Sequence, residues 1–545
     1  MPALPGRRTP LLLELDLTEL PVDPDPDDQL ARLRNRGRRQ LRPTLRALHD
    51  AAGDSRVVGL VAKVGGTLPW AAMQELRLGV QEFAASGKPT VAWAESFGEV
   101  ADTAAYVLAT AFDTIWLQPG GSIGLLGVSA ETTFLGGAFE KLGVQAQFEQ
   151  RHEYKNAVDT LTRTSFTEPH REALDTLTGS LYAEAVDRIA EGRTLAAERV
   201  RELVDTGPRT AVEARAAGLV DELGYRDQVY DAVRARVGAK TELLFADRWT
   251  PHRRPQLPLP KRGRVALVQA RGTIVGGRTR RGLTGRQLGS DSVTAELRAA
   301  LADEHVRAVV LRVDSPGGSA VASEAIWREV CRVRESGRPV VVSMGALAAS
   351  GGYYIACPAD VIVALPGTLT GSIGVFGGKL VLRDALDRVG LTTGAVQQGA
   401  HALMFSSRRG FAEDERERLA ATVDAIYDDF VGKVAAGRNR PVTDVQAVAR
   451  GRVWSGRDAV EIGLVDELGG LRDAVRIARE RAGLPADAPV TPALKVPPLA
   501  RLGKPRNSED PRAAGTAAWP GLAELAAALD LPAGLELRMP TVRLR

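Results

Sequence analysis

Short, strongly apolar runs alternate along this chain with longer amphipathic stretches. Leu11 to Leu17, Val57 to Val64, Thr90 to Ala94 and Ile115-Trp116-Leu117 read as strands in the first half. Val265 to Ala270, Val306 to Val313, Val340 to Met344 and Val361-Ile362-Val363 do so in the second. Runs rich in β-branched residues suit parallel strands buried on both faces. The segments between them carry helical periodicity, at the spacing of strand–helix–strand crossovers. Ala101 to Thr110 and Gly351 to Cys357 read as helices, and Glu168 to Ala190 and Ala412 to Ala436 as long amphipathic ones. The prediction is an α/β protein.

The pattern occurs twice. Gly218-Leu219-Val220-Asp221-Glu222-Leu223-Gly224 recurs as Gly463-Leu464-Val465-Asp466-Glu467-Leu468-Gly469, and Gly121-Ser122-Ile123-Gly124 recurs as Gly371-Ser372-Ile373-Gly374. Ser86-Gly87-Lys88-Pro89 recurs as Ser336-Gly337-Arg338-Pro339. A period this long describes two tandem domains, not a solenoid. The expected division is a first domain over 1–250, a Pro/Arg-rich linker over 251–264, a second domain over 265–490 and a Pro/Arg/Gly-rich tail over 491–545. Within the tail, Gly521 to Leu531 reads as a short alanine-leucine helix that packs on the body or touches a membrane.

Composition narrows the function. A length of 545 residues exceeds one core, and 44% hydrophobic with 25% charged residues describes an ordinary folded protein. A net charge of +4 is small for this length, and no basic-aromatic pattern marks a nucleic-acid surface. Cys331 and Cys357 cannot frame a disulfide network, which favours a reducing compartment. No Cys/His cluster has zinc spacing, so neither metal nor cofactor is expected. The apolar stretch from Leu11 is broken by Glu14 and Asp16, and no run reaches the ~20 residues of a spanning helix. The expectation is a cytoplasmic protein, or one peripheral at the cytoplasmic membrane. Arg271, Arg278, Arg280, Arg281 and Arg286 form either a solvated loop or a contact with anionic lipid.

The candidate chemistry is split between the repeats. Ala348-Ala349-Ser350-Gly351-Gly352 follows a strand and precedes a helix, a small-residue corner that can expose a hydroxyl. Serine also caps helices well, so the corner alone leaves Ser350 open as a cap. Asp314-Ser315-Pro316-Gly317-Gly318 ends the preceding strand. Gly317 and Gly318 could turn their N–H groups toward an oxyanion, or form only a tight turn. Aligning the repeats puts Thr103 opposite Ser350 and Ala402 opposite Lys155. The first half therefore lacks the hydroxyl corner and the second lacks the lysine. That reciprocal loss singles out Ser350 as nucleophile and Lys155 as general base. A lysine with a reference pKa of ~10.4 must be desolvated to serve near neutrality. Ser372 is the candidate hydroxyl to hold its amine. None of the six histidines lies in a catalytic motif; His401, beside Ala402, is the one to test as a triad member.

Together these segments, with Tyr154-Lys155 and Gly463-Leu464-Val465-Asp466, resemble signal peptide peptidase A, the protease IV family, in its long double-domain form. The likeness runs from about residue 10 to about residue 490. It implies a tandem duplication of a ClpP/crotonase-like domain built from repeated ββα units. It also implies a Ser350–Lys155 dyad, Ser372 positioning the lysine, peptide substrates left from cleaved signal peptides, and a homotetramer. The membrane anchor common in that family has no counterpart here. A crotonase-type acyl-CoA enzyme and a non-catalytic membrane quality-control scaffold are the alternatives.

Overall fold

The computed structural model describes residues 9–18, 40–66, 69–98, 102–251, 263–282, 285–494, 534–539 and 543–544. The chain forms two compact units. One comprises Met1–Ser129 and Gly179–Leu259, the other Ala130–Thr178 and Pro260–Leu544. The division expected at 251–264 therefore differs from the observed one. Residues 130–178, from the first repeat, pack into the second unit, because the strand Gln145–Gln150 pairs along its whole length with Phe376–Val381. Most of the expected linker (252–262) and the alanine-leucine helix at 521–531 lie outside the described residues.

In the first unit, six strands form a parallel sheet in the order Glu242–Phe245, Leu11–Leu17, Val57–Val64, Thr90–Ala94, Thr114–Leu117, Glu222–Leu223. Leu12, Leu60, Ala62, Ala92 and Ile115 are fully buried within it. The second unit repeats the order: Val490–Pro492, Arg264–Arg271, Val306–Ser315, Val340–Ala349, Val361–Ala364, Glu467–Leu468. Val490–Pro492, whose last two residues the sequence reading assigns to the tail, is thus an edge strand. Buried side chains line both faces, as the unalternating apolar runs require. The helix Leu471–Arg481 seals one face through Ala474, Ile477 and Ala478. The helix Arg226–Val237 does the same in the first unit through Val229, Tyr230 and Val233.

The repeat extends to side chains. Asp221 accepts the Ile115 N–H at 2.7 Å and pairs with Arg193. Asp466 accepts the Ile362 N–H at 2.7 Å and pairs with Arg438. The Tyr106 hydroxyl donates to the Leu219 carbonyl at 2.6 Å, and the Tyr353 hydroxyl to the Leu464 carbonyl at 2.8 Å. Each unit thus ties its GLVDEL turn to its central helix and a neighbouring strand in the same way. The Tyr106–Tyr353 match also sets the register that puts Thr103 opposite Ser350.

The second unit adds a layer that positions the site. Its strand Val340–Ala349 outruns its partner Val361–Ala364, and residues 347–349 pair instead with Leu369–Gly371. A seven-stranded sheet runs in the order Arg280–Gly282, Gly285–Gly289, Thr273–Val275, Gly317–Ser319, Gly534–Arg538, Phe376–Val381, Gln145–Gln150. Residues 534–538, expected to be loose tail, form one of its inner strands.

Removing either tyrosine hydroxyl leaves a buried carbonyl unpaired. Tyr106→Phe and Tyr353→Phe should each lower stability by about 1 kcal/mol, read as a drop in thermal midpoint.

Candidate active site

Ser350 sits where Val340–Ala349 ends and the helix Gly351–Ala356 begins. Its backbone has φ 54° and ψ −115°, a conformation that a residue with a β-carbon adopts only when its surroundings impose it. Two hydrogen bonds do so. The Ser350 N–H donates to the Gly371 carbonyl at 2.7 Å, and its carbonyl accepts from the Tyr354 N–H at 2.8 Å. The side chain makes no helix-capping bond; it points at an amine.

That amine is Lys155. Its side chain is fully buried, with Nζ 2.8 Å from Ser350 Oγ, 2.8 Å from the Ser372 carbonyl and 3.0 Å from Ser372 Oγ. All three are neutral oxygens. Burial alone pushes the amine well below the ordinary lysine range. A neutral amine has two N–H groups and one lone pair. The carbonyl can only accept, so it takes one N–H, and Ser372 Oγ takes the other. The lone pair is then free to receive the proton of Ser350 Oγ.

The backbone around Lys155 is clamped from the same unit. Its segment follows the strand Gln145–Gln150, and the Arg151 N–H donates to the Val375 carbonyl at 3.0 Å. The His152 ring lies 4.7 Å from that of Tyr427 on the helix Glu413–Gly437. The Tyr154 N–H donates to the Arg450 carbonyl at 3.2 Å, while the Arg450 guanidinium grips both Glu153 oxygens at 2.9 and 3.0 Å. The Arg452 carbonyl accepts the Ser372 N–H at 2.7 Å. Between these arginines lies Gly451, at φ 89°. A β-carbon there would sit 2.5 Å from the Lys155 backbone nitrogen. Arg450, Gly451 and Arg452 escaped the sequence reading. The residue types carry no chemical signature, and only Gly451's close approach reveals the need for glycine.

The glycines singled out as oxyanion donors lie against the nucleophile turn. A β-carbon on Gly351 would be 3.1 Å from Gly317 Cα and 3.2 Å from Gly318 N. The Gly317 N–H donates to Ser315 Oγ at 3.2 Å. Gly351, whose own N–H follows the serine, is a further donor position that the sequence reading passed over.

The first unit holds the matching positions in other contacts. Ser122 is the twin of Ser372, and its carbonyl and hydroxyl engage Ser96 Oγ at 2.9 and 3.1 Å, where Ser372 engages an amine. Thr103, opposite Ser350, donates to the Gly127 carbonyl at 2.8 Å. Ala402, opposite Lys155, is exposed in a turn. His401 lies 3.7 Å from Asp414 and His170 3.6 Å from Asp159, whereas the side-chain partner of Ser350 Oγ is Lys155.

A strained serine hydrogen-bonded to a buried amine defines a hydrolase of the serine-nucleophile class. The model of Peptidase family S49 matches residues 82–240 and 332–485. The chloroplastic serine protease SPPA of Arabidopsis thaliana is 30% identical over 465 residues, covering 84% of this chain and 67% of that protein. Protease 4 of Salmonella typhi is 32% identical over 451 residues, covering 80% and 71%. Among solved structures, a ClpP1 variant from Listeria monocytogenes overlaps 38% of this chain and 94% of its own, at TM-score 0.25 and 15% identity. The chain belongs to Peptidase family S49. It is a serine protease, and its two units repeat one parallel-sheet strand order.

Gly451→Ala should displace the lysine backbone and lower kcat/KM at least tenfold in a chain that still folds. Ser372→Ala keeps the carbonyl contact and removes one hydrogen bond, so a loss of about tenfold is expected. Steady-state kinetics on an apolar peptide ester, beside circular dichroism, checks both.

Proposed function

We propose that the chain is an endopeptidase working through a Ser350–Lys155 dyad, and that its substrates are apolar peptides of the kind left by signal-peptide cleavage. The observation that carries this is the 2.8 Å contact between Ser350 Oγ and a fully buried Lys155 amine held by neutral oxygens. Ser350 Oγ attacks the scissile carbonyl carbon while its proton passes to Lys155 Nζ. The carbonyl oxygen becomes an oxyanion, received by the backbone N–H groups of Gly318 and Gly351, the Gly317 N–H being engaged by Ser315 Oγ. Collapse breaks the C–N bond, and Lys155 returns the proton to the departing amine. Water, deprotonated by the same amine, then releases the acyl group as an acid.

Ser372 positions the lysine. The signal-peptide substrate class rests on kinship with a relative named putative signal peptide peptidase SppA, of Enterococcus faecium, 36% identical over 189 residues. Among the described residues no helix is long and apolar enough to cross a membrane. In this reading the protein is cytoplasmic or peripheral at the cytoplasmic membrane and assembles as a homotetramer. The exposed side chains of Leu142, Val389, Leu391 and Val396 offer apolar surface for a second copy or a lipid face.

Ser350→Ala and Lys155→Ala should each cut kcat by a factor of about 10³ or more with the fold intact. Labelling by a fluorophosphonate should require Ser350. Wild-type kcat/KM should climb with pH as the lysine loses its proton, along a limb that no histidine variant shifts. A limb that disappears in a histidine variant refutes the lysine as base.

Lys155 also makes stability pH-dependent. The amine's folded pKa is depressed from 10.5, so between that lower value and 10.5 the unfolded chain binds more protons. Stability therefore rises with pH across this window. Lys155→Met should raise the thermal midpoint at neutral pH, and the gain should shrink as the pH approaches 10.5.

A further inference from the structure

The helix Gly351–Ala356, which carries Ser350 at its head, has only six residues. A helix this short has little stability of its own and stays where its contacts hold it. Two adjacent tyrosine hydroxyls hold it. Tyr353 donates to the Leu464 carbonyl, a tie that the first unit repeats at Tyr106. Tyr354 engages a cluster of charges instead. Its hydroxyl donates to Glu324, on the helix Ala320–Glu335, and lies 2.7 Å from Asp429, on Glu413–Gly437.

A phenol has one hydrogen to donate, so two carboxylates gathered around it need a further cation. Lys433 is that cation. Its Nζ lies 2.5 Å from Glu324 and 2.6 Å from both oxygens of Asp429, and it sits over the Trp327 ring at 4.6 Å. Tyr354 itself is 2% exposed. Burial and the two carboxylates push its pKa up, so the hydroxyl remains a donor. The backbone of the same residue reaches the nucleophile. The Tyr354 N–H donates to the Ser350 carbonyl at 2.8 Å, one of the two bonds that hold Ser350 at φ 54°.

The duplication supplies a comparison. The register set by Tyr106 and Tyr353 puts Val107 opposite Tyr354, and the match of Ser86 with Ser336, carried back along the helices, puts Gln74 opposite Glu324. Arg193 and Arg438, which make the same ion pair, put Glu184 opposite Asp429 and Arg188 opposite Lys433. The first unit keeps the ion pair along this helix, Arg188 to Glu184 at 2.9 Å, but a valine stands where the hydroxyl would be. Thr103, opposite Ser350, is there an ordinary residue of the helix Thr103–Ala109 at negative φ. The charged anchor and the strained turn occur together in one unit, and neither stands at the matching positions of the other.

We infer that Tyr354 is a positioning residue for the reaction: its hydroxyl, pinned by Glu324, Asp429 and Lys433, keeps the short helix seated against the strain at Ser350 and so keeps Oγ on the Lys155 amine. The inference rests on the proposed Ser350–Lys155 dyad. Tyr354 acts through the Ser350 backbone and takes no proton. A misplacement of about 1 Å costs about a hundredfold in rate, so losing one of the two anchors of this helix predicts a loss of about tenfold.

The test compares Tyr354→Phe with Tyr353→Phe in the full chain, on turnover of an apolar peptide ester and on fluorophosphonate labelling. Each variant removes one hydroxyl from the same helix, and each should lower the thermal midpoint. Tyr354→Phe should lower kcat about tenfold with KM within about twofold of wild type, and slow labelling of Ser350 by the same factor. Its pH–rate limb should stay at the wild-type position, because the contacts of the Lys155 amine are untouched. Tyr353→Phe should keep kcat and labelling within about twofold of wild type. Glu324→Gln and Asp429→Asn weaken the anchor without emptying it, so each should fall between wild type and Tyr354→Phe. If Tyr354→Phe does not fold, these two decide, and labelling at the wild-type rate in both overturns the proposal. A folded Tyr354→Phe that loses no more kcat and labelling than Tyr353→Phe also overturns it, and leaves the dyad standing. Labelling that persists in Ser350→Ala overturns the dyad and this inference together.

Discussion

A lysine amine kept from water and given only neutral oxygens is the constraint around which the second unit is arranged. Left alone, such an amine is costly, because desolvation penalises the charged form and a buried polar group must find partners. The protein meets the second demand with the carbonyl and hydroxyl of Ser372 and leaves the first unmet, with no carboxylate among the described residues paired with the amine. Depressed basicity and a lone pair aimed at Ser350 follow from that single choice. The strained turns at Ser350 and Ser372, both at positive φ, are the backbone's share of the same arrangement.

The first unit shows how little separates scaffold from chemistry. Both units tie the GLVDEL turn to the sheet through an aspartate, an arginine and a tyrosine hydroxyl. Both retain a serine cradle at 122 and 372. In one the cradle holds another hydroxyl, and in the other an amine from a segment of the first repeat. The two cradles differ in what they hold, not in fold.

Much of this was legible in the sequence. The strands at 57–64, 90–94, 306–313 and 361–363 announced themselves because parallel strands buried on both faces need unbroken apolar runs. Ser350 and Lys155 stood out because each repeat lacked what the other had. What stayed hidden depended on long-range geometry. Gly451 is one glycine among 56, and only its approach to the Lys155 backbone explains it. The segment 130–178 reads as part of the first repeat, and its allegiance to the second unit is decided by edge pairing with Phe376–Val381, which local pattern does not encode. Residues 534–538 are short and bordered by proline-rich sequence, so nothing local marked them as an inner strand.

The 195 residues between the amine and the hydroxyl carry a consequence for biosynthesis. A ribosome releases Lys155 long before Ser350, and the pocket that strips the amine of water also needs Ser372 and Gly451, further downstream still. A nascent chain thus carries an ordinary protonated lysine and an unactivated alcohol. On the proposed dyad, cutting power arises only after nearly the whole polypeptide has been translated and folded, which spares the unfinished protein from digesting itself or its neighbours at the exit tunnel.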